Sequence, residues 1–363
     1  MALTAWSGAL RIIADQSGLE PDEIVEADDM QFTALGINRI LAGAILSQMR
    51  GPGGEALPKD FFDRVPTVGA FRRYYEKAAP VRPAKLTRTL SPIALSIILQ
   101  KSPAVAKHVL FLLPDGSGSA MAYAGLPAVH ADVCIVGLNS PHLRDASKYT
   151  GTIEQLAETW VHEIYRRQPK GPYMVGGWSA GGYYSFEVAK RLLRDGHSVD
   201  KLVLIDSPSR TVFESLPIAV VRHLAARNLM GNWGSQDPPE WLIPHFQATV
   251  AAVAKYHPTP MSRASQIKTY LIWSRDGVLD TQGMASSGLD ARVKVSRFLL
   301  QGKQDWGPNG WDDLLPGQAC AIATTGGTHF TMVNKPHVAE LSALLSDAVA
   351  GTCPQRQHLW KQD

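Results

Sequence analysis

One short string of this sequence has the residue types of a serine nucleophile. Ser179 lies in Gly176-Gly177-Trp178-Ser179-Ala180-Gly181-Gly182, after an apolar run typical of a strand and before a run typical of a helix. A serine on a tight strand-to-helix turn needs small neighbours, because larger side chains would collide with the strand and the helix. The alternative is an ordinary turn in which the serine caps a helix. The context favours a catalytic Ser179.

A serine hydroxyl needs a base to remove its proton and a carboxylate to hold that base. Among the 11 histidines, His329 fits the base best, because it follows a strand-like run near the C-terminus within Gly326-Gly327-Thr328-His329. His337 falls in an apparent final helix and is predicted to be a surface residue. Asp206 and Asp276 both follow strand-like runs, at the strand ends where ligands gather. The spacing leaves the choice between these two acids open, and the other would be a turn or capping aspartate.

Attack by such a serine also requires hydrogen-bond donors for the oxyanion. The backbone N–H of Ala180, directly after the nucleophile, is the first candidate. The second is expected from Gly116 or Ser117, in the loop Pro114-Asp115-Gly116-Ser117-Gly118-Ser119. The alternative is a merely flexible Gly/Ser loop, and a phosphate-binding loop is disfavoured because no Gly-Lys-Ser/Thr follows.

Alternating strand-like and helix-like segments must position these residues. The strand-like runs are 108–113, 133–137, 173–177, 201–205 and 268–273, and helical segments at 152–168 and 182–194 fall between them. This alternation is typical of βαβ units on a parallel sheet. With the chain order serine, acid, histidine, it predicts an α/β-hydrolase fold over 93–350.

The first 79 residues have a different pattern. Apolar residues recur at helical spacing, namely Ile37, Ile40, Leu41, Ala44, Ile45 and Met49. We predict a small all-α helical bundle over 1–79 and an extended linker over 80–92, which contains Pro80 and Pro83. Residues 351–363 are expected to form a frayed tail.

Composition and charge exclude several classes of function. With 363 residues, 45% hydrophobic and 19% charged, the chain is expected to be a globular protein with a substantial core. The net charge of +3 is scattered without a basic run, so no nucleic-acid partner is predicted. Three cysteines and no zinc-ligand spacing predict neither a disulfide framework nor a metal or other cofactor. Without a signal peptide or a membrane-spanning apolar run, we expect a cytoplasmic protein with no membrane partner.

Six strings, in order along the chain, together resemble the thioesterase domain of fungal non-reducing polyketide synthases over about residues 90–350. They are LFLLPDGSGSA, RRQPKGPYMVGGWSAGG, KLVLIDSPS, PPEWLIPHF, WGPNGWDDLL and GGTHF. The resemblance implies Asp206, not Asp276, as the acid, so that Ser179, Asp206 and His329 form a catalytic triad. It also implies a helical lid over about 210–263.

Several large side chains of the implied lid are candidates for lining a substrate chamber. They are Phe213, Leu216, Trp233, Trp241, Phe246 and Tyr256. Trp178, Trp241 and Phe246 are the residues that we expect to contact substrate. The alternative for any aromatic residue of a helical insertion is ordinary packing.

Residues of about 5–77 resemble an acyl carrier domain of the same synthases. The resemblance is carried by Glu20-Pro21-Asp22-Glu23-Ile24 and Ala34-Leu35-Gly36-Ile37-Asn38-Arg39-Ile40-Leu41. In carriers, an Asp-Ser pair at the start of the second helix receives phosphopantetheine, and here Asn38-Arg39 replaces that pair. We therefore predict a degenerate carrier-like domain that cannot be phosphopantetheinylated.

These resemblances imply a serine thioesterase. It would release a polyketide acyl chain from the phosphopantetheine thioester of an acyl carrier domain of a polyketide synthase, by hydrolysis or cyclisation, as a free-standing enzyme acting in trans. The alternatives are an esterase or lactonase acting on free small molecules, and a catalytically inactive scaffold that docks to a synthase. The complete candidate triad argues against the scaffold, and the carrier-like domain argues against a simple esterase.

Overall fold

The computed structural model describes most of the chain. Its described residues are 5–17, 21–26, 28–35, 37, 39–52, 55–76, 94–103, 105–230, 240–262, 264, 267–303, 305–352 and 361–362. The predicted linker at 80–92 lies outside them, as does much of the predicted tail. The chain divides into two compact units, 1–99 and 100–363, and each is described separately.

The first unit is helical where it is described. Its helices are α1 (Ala5–Ser17), α2 (Pro21–Glu26), α3 (Arg39–Gln48), α4 (Phe61–Arg64) and α5 (Val68–Glu76). Leu41, Ile45 and Met49 of the predicted helical stripe are buried in its core. The core also holds Phe71, on α5. Arg39 is the first residue of α3, whereas Asn38 lies outside the described residues.

A short strand, β1 (Ser96–Gln100), lies at the division between the units. The second unit contains the strands β2 (His108–Leu113), β3 (Val133–Leu138), β4 (Tyr173–Trp178), β5 (Val199–Ile205), β6 (Lys268–Ser274), β7 (Cys320–Thr325) and β8 (Lys361–Gln362). Its α-helices are α6 (Ile153–Arg167), α7 (Ala180–Arg194), α8 (Ile218–Ala226), α9 (Leu242–Ala254), α10 (Thr281–Ser286), α11 (Lys294–Leu300), α12 (Trp311–Leu314) and α13 (Val338–Ala350).

The seven strands β2–β8 form one mixed sheet in the order β3-β2-β4-β5-β6-β7-β8. The pairs from β3 to β7 are parallel, and β8 pairs antiparallel with β7. All residues of β3 and β4 are buried, which explains their continuous apolar sequences, since both faces of a parallel sheet are covered. This is the predicted α/β-hydrolase fold, and the carboxyl ends of β4, β5 and β7 place the candidate residues at one edge.

The two helices α8 and α9 lie between β5 and β6, where the resemblance implied a lid at 210–263. Residues 231–239 of this segment lie outside the described residues. Among the described residues, no helix combines the length and apolar character needed to cross a membrane.

Candidate active site

Ser179 lies on a strained turn between β4 and α7. Its backbone has φ 58° and ψ −123°, a conformation that a residue with a side chain rarely adopts without support. The flanking glycines are required by the surrounding backbone. A Cβ on Gly177 would lie 2.3 Å from the carbonyl oxygen of Gly181, and one on Gly181 would lie 2.6 Å from that of Leu113. The turn therefore raises the Ser179 side chain above the end of the sheet.

Asp206 directly follows β5, next to the nucleophile strand. Its side chain is fully buried, and the carboxylate accepts hydrogen bonds at 2.9 Å from the backbone N–H of Ser274 and at 2.8 Å from the Ser274 hydroxyl. Burial by itself would raise the pKa of Asp206. The ammonium of Lys303, the hydrogen bond and charge of His329 and the N–H of Ser274 outweigh burial and hold the pKa well below its ordinary value.

His329 connects the serine to this acid. Its Nδ1 lies 2.8 Å from Asp206 Oδ2, and its Nε2 lies 3.0 Å from Ser179 Oγ. Because the ionised carboxylate only accepts hydrogen bonds, Nδ1 carries the proton and Nε2 is left to accept the serine hydroxyl. The three residues thus lie in the geometry that a base-activated serine requires.

The loop that carries His329 is tied to its neighbours by two carboxylates. Asp276, the other acid considered from sequence, accepts the backbone N–H of Gly327 at 3.0 Å through its Oδ2. Glu340 accepts the N–H of Gly326 at 2.7 Å. His337 immediately precedes α13 and is half-buried. Asp276 therefore supports the histidine loop without contacting the imidazole.

Two residues with backbone N–H groups lie beside Ser179 at the cavity. Gly116 and Ala180 both line the cavity at the nucleophile, and neither N–H donates a hydrogen bond within the described part of the chain. The Ser117 hydroxyl donates to the buried carboxylate of Asp115 at 2.5 Å. Of the two loop residues predicted from sequence, Gly116 lines the cavity and Ser117 does not.

An apolar cavity of about 90 Å³ opens at the serine. The segment between β5 and β6 supplies much of its wall, and further apolar residues come from α11 and from the loop after β7. The apolar lining residues are Leu216, Val221, Leu224, Met230, Phe246, Val250, Val253, Val295, Phe298, Leu299 and Phe330. The ionisable groups at its wall are Tyr183, Asp206 and His329, so the cavity suits an uncharged acyl group.

Of the three residues that we expected to contact substrate, one lines the cavity and two do not. Phe246 lines the cavity. Trp178 packs with its ring centroid 5.2 Å from that of His329, and Trp241 immediately precedes α9; neither residue lines the cavity. Of the other chamber candidates, Leu216 lines the cavity, and Trp233 lies outside the described residues.

The remaining two chamber candidates contact other residues. Phe213 packs against Phe298 at 5.3 Å between ring centroids, and the Tyr256 hydroxyl donates to Glu187. Phe213 therefore contacts a residue that lines the cavity, Phe298, whereas Tyr256 forms a buried hydrogen bond with Glu187.

Sequence reasoning missed two residues at the acid. Ser274 and Lys303 both contact Asp206. Ser274 ends the strand next to the acid strand, which was a usable signal, because adjacent parallel strands end at the same sheet edge. Lys303 lies in a loop without a motif, and no sequence signal identified it.

A parallel sheet, a serine on a strand-to-helix turn, a facing histidine and helices over the cavity define an α/β-hydrolase. The chain belongs to the thioesterase domain family, whose family model matches residues 108–345.

Similar proteins are fungal polyketide synthases. A non-reducing polyketide synthase of Byssochlamys spectabilis is 36% identical over 93% of the chain, and norsolorinic acid synthase of Emericella nidulans is 33% identical over 95%. The conidial pigment polyketide synthase of Aspergillus fumigatus is 35% identical over 95%. The chain spans 17% of the length of each of these relatives.

Two solved structures share the fold. The thioesterase domain of NocB, in covalent complex with a fluorophosphonate nocardicin G analogue, has a TM-score of 0.50 and 22% identity, covering 68% of this chain and 96% of that one. A four-domain nonribosomal peptide synthetase has a TM-score of 0.57 and 18% identity, covering 90% of this chain and 24% of that one.

Proposed function

We propose that the chain is a serine thioesterase that releases a polyketide acyl chain from the phosphopantetheine thioester of an acyl carrier domain. The observation that carries this proposal is the hydrogen-bonded series Ser179, His329 and Asp206 at the mouth of an apolar cavity. A serine hydrolase needs this series to activate its nucleophile, and the apolar lining of the cavity favours an acyl group over a charged one.

In the first half of the reaction, His329 Nε2 takes the proton of Ser179 as Oγ bonds to the thioester carbonyl carbon. The carbonyl oxygen becomes an oxyanion, for which the N–H groups of Gly116 and Ala180 are the proposed donors. When the carbonyl re-forms, the carbon–sulfur bond breaks and the leaving thiolate takes the proton from His329. The acyl group is then an ester on Ser179.

The second half repeats these steps with another nucleophile. His329 removes a proton from water, or from a hydroxyl or an acidic carbon of the acyl chain, and that atom attacks the ester carbonyl. Ser179 Oγ leaves and takes the proton back. Water gives an acid, and an internal nucleophile gives a lactone or a Claisen product. Ionised Asp206 holds the imidazole in the required tautomer throughout.

The substrate class rests on two supports. The cavity wall is mostly apolar, and its ionisable side chains are Tyr183, Asp206 and His329. The similar proteins are polyketide synthases by name. Together they favour a polyketide acyl chain delivered by a carrier domain, and delivery by a separate carrier in trans stays a prediction.

The direct test is trapping of the acyl-enzyme. We expect that incubating the full chain with an acyl group loaded on a polyketide synthase carrier domain gives an intact-mass increase equal to that group, mapped to Ser179. The Ser179→Ala variant is the matched control and should gain no mass.

The alternatives predict different results in the same experiment. Rapid turnover of free esters or lactones with no reaction on the carrier thioester would identify an esterase. Binding to the carrier without an adduct or product would identify a scaffold. Either result contradicts the proposal.

A further inference from the structure

The side chain of Lys303 is buried against the acid of the site. Its Nζ lies 2.9 Å from Asp206 Oδ1, and the two side chains are 3% and 0% exposed. The same Nζ donates to the Ser274 hydroxyl at 2.6 Å and to the Ser274 carbonyl oxygen at 3.1 Å. It also donates to Asp206 Oδ2 at 3.2 Å, so the carboxylate, the hydroxyl and the carbonyl oxygen accept all three donors of the ammonium. The charge also lies over the Phe298 ring, 4.3 Å from its centroid.

Both oxygens of the Asp206 carboxylate have partners. Oδ1 accepts from the Ser274 N–H and lies beside the Lys303 ammonium. Oδ2 accepts from the Ser274 hydroxyl and from Lys303, and His329 Nδ1 lies 2.8 Å from it. Because donors from three residues contact the two oxygens, the carboxylate is held in one orientation. That orientation is the one that aligns His329 with Ser179.

A stabilising role alone does not account for this pair. Removing an ammonium from water costs free energy. The attraction to its buried partner seldom exceeds this cost, so a buried ion pair contributes little to the stability of the fold. Lys303 and His329 are the two ionisable side chains that pair with Asp206 within the described residues. The positive charge of Lys303 therefore partly neutralises the negative charge of Asp206, next to which the His329 imidazole lies.

We propose that Lys303 is a positioning residue that fixes the Asp206 carboxylate and offsets its charge toward His329. This inference rests on the proposed triad. Without the ammonium, the acid and the imidazole together bind a proton more tightly, whichever of the two holds it. The neutral base that accepts the serine proton then forms only at higher pH.

The test uses Lys303→Met, which keeps the chain length and removes the charge, and Lys303→Arg, which keeps the charge. The exposed Lys294, at the start of α11, supplies the control Lys294→Met. Rates on a carrier-bound acyl thioester are expressed per serine that reacts with a fluorophosphonate, so misfolded protein is not counted. For Lys303→Met we expect kcat to fall about 10- to 100-fold with KM little changed. The acid limb of the kcat/KM profile should move up by about one pH unit.

Lys303→Arg should keep a larger part of kcat than Lys303→Met and leave the acid limb nearly in place, whereas Lys294→Met should match the unmodified chain. An unchanged kcat and acid limb in Lys303→Met would overturn the inference. If the unmodified chain forms no acyl adduct, the proposed function fails first, and the two failures are thereby distinguished.

A second comparison covers the case in which Lys303→Met does not fold. Asp206→Asn is made with and without Lys303→Met, because removing both charges leaves no unpaired ion in the site. If Lys303 acts through the carboxylate, adding Lys303→Met to Asp206→Asn changes kcat by less than about threefold. If Lys303→Met lowers kcat as much in the Asp206→Asn variant as it is expected to in the unmodified chain, the inference is overturned, because the lysine would then not act through Asp206.

Discussion

At the scale of single residues, the strained conformation of Ser179 is maintained by the glycines around it. The side chain itself is small and contributes little to the turn. Its Oγ is the atom that lies within hydrogen-bond distance of His329. Removing the Ser179 hydroxyl should therefore reduce activity without reducing the stability of the fold.

Ser179→Ala should abolish turnover and leave the unfolding midpoint nearly unchanged. The variant loses the attacking oxygen, and only the oxyanion donors and binding remain to accelerate the reaction. The measurement is kcat on a carrier-bound thioester together with thermal unfolding. Retention of more than about a thousandth of the rate would contradict the role of Ser179.

The two aspartates considered from sequence should respond very differently to neutralisation. Asp206→Asn removes the charge that holds the imidazole tautomer, and kcat should fall by as much as about 10⁴-fold. Asp276→Asn keeps an oxygen that can accept the Gly327 N–H, and the residue is exposed, so the loss should be below about threefold. Steady-state rates of both variants on one substrate give the ranking, and the reverse order would assign the acid to Asp276.

The sequence alone predicted the positions of Ser179 and His329 but not the choice of acid or the contact with Lys303. The glycines around Ser179 and before His329 are local backbone requirements, and such requirements are visible in a sequence. The choice of acid depends on which strand end faces the imidazole, and spacing does not contain that information. Lys303 is 97 positions from Asp206, in a loop whose course follows from packing, so no local pattern indicates their contact.

At the scale of elements, α9 holds the loop that contains Gly116, the proposed oxyanion donor. Its Thr249 hydroxyl donates to the carbonyl of Gly116 at 3.1 Å, and His245 Nδ1 lies 3.0 Å from the same oxygen. The Phe246 ring packs so closely that a Cβ on Gly116 would lie 2.5 Å from it. The lid helix thus contributes to the placement of the Gly116 N–H as well as to the cavity wall.

Loss of the Thr249 hydroxyl should weaken transition-state stabilisation more than substrate binding. Thr249→Val has nearly the same shape, and His245 still serves the Gly116 carbonyl. One hydrogen bond of about 0.5–1.5 kcal/mol is lost, which corresponds to a fall in kcat of roughly 2- to 12-fold. Thr249→Ser keeps the hydroxyl and should remain close to the unmodified chain. A rise in KM alone in Thr249→Val would show that Thr249 acts only as cavity wall.

The helices and strands that the sequence predicted correctly are the long, buried ones. The strands β2–β7 and the helices α6 and α7 were expected, with ends within a few residues, because continuous apolar runs and glycine turns mark them. The short helices α10, α11 and α12, between β6 and β7, were not predicted. They have 4 to 7 residues each, too few to show helical periodicity.

At the scale of the whole molecule, the helical first unit requires an explanation, because Ser179, Asp206 and His329 all belong to residues 100–363. The apolar stripe of α3 is kept, with Leu41 and Ile45 buried, while Arg39 stands at the start of that helix. The resemblance of this unit to a carrier domain, with an arginine where carriers have the attachment serine, implies a role in recognition rather than in carrying an acyl group.

We therefore predict that removing residues 1–83 affects substrates selectively. A chain beginning at Ala84 should hydrolyse a small diffusible thioester at the rate of the full chain, since the site is intact. On an acyl group loaded on a synthase carrier domain it should be at least about tenfold slower at low concentration, because docking supplies effective concentration. The measurement is kcat/KM for both substrates, per serine labelled by a fluorophosphonate. Equal rates for both chains on the carrier-bound substrate would exclude a docking role. Aggregation of the shorter chain, with equal loss on both substrates, would instead show that the first unit assists folding.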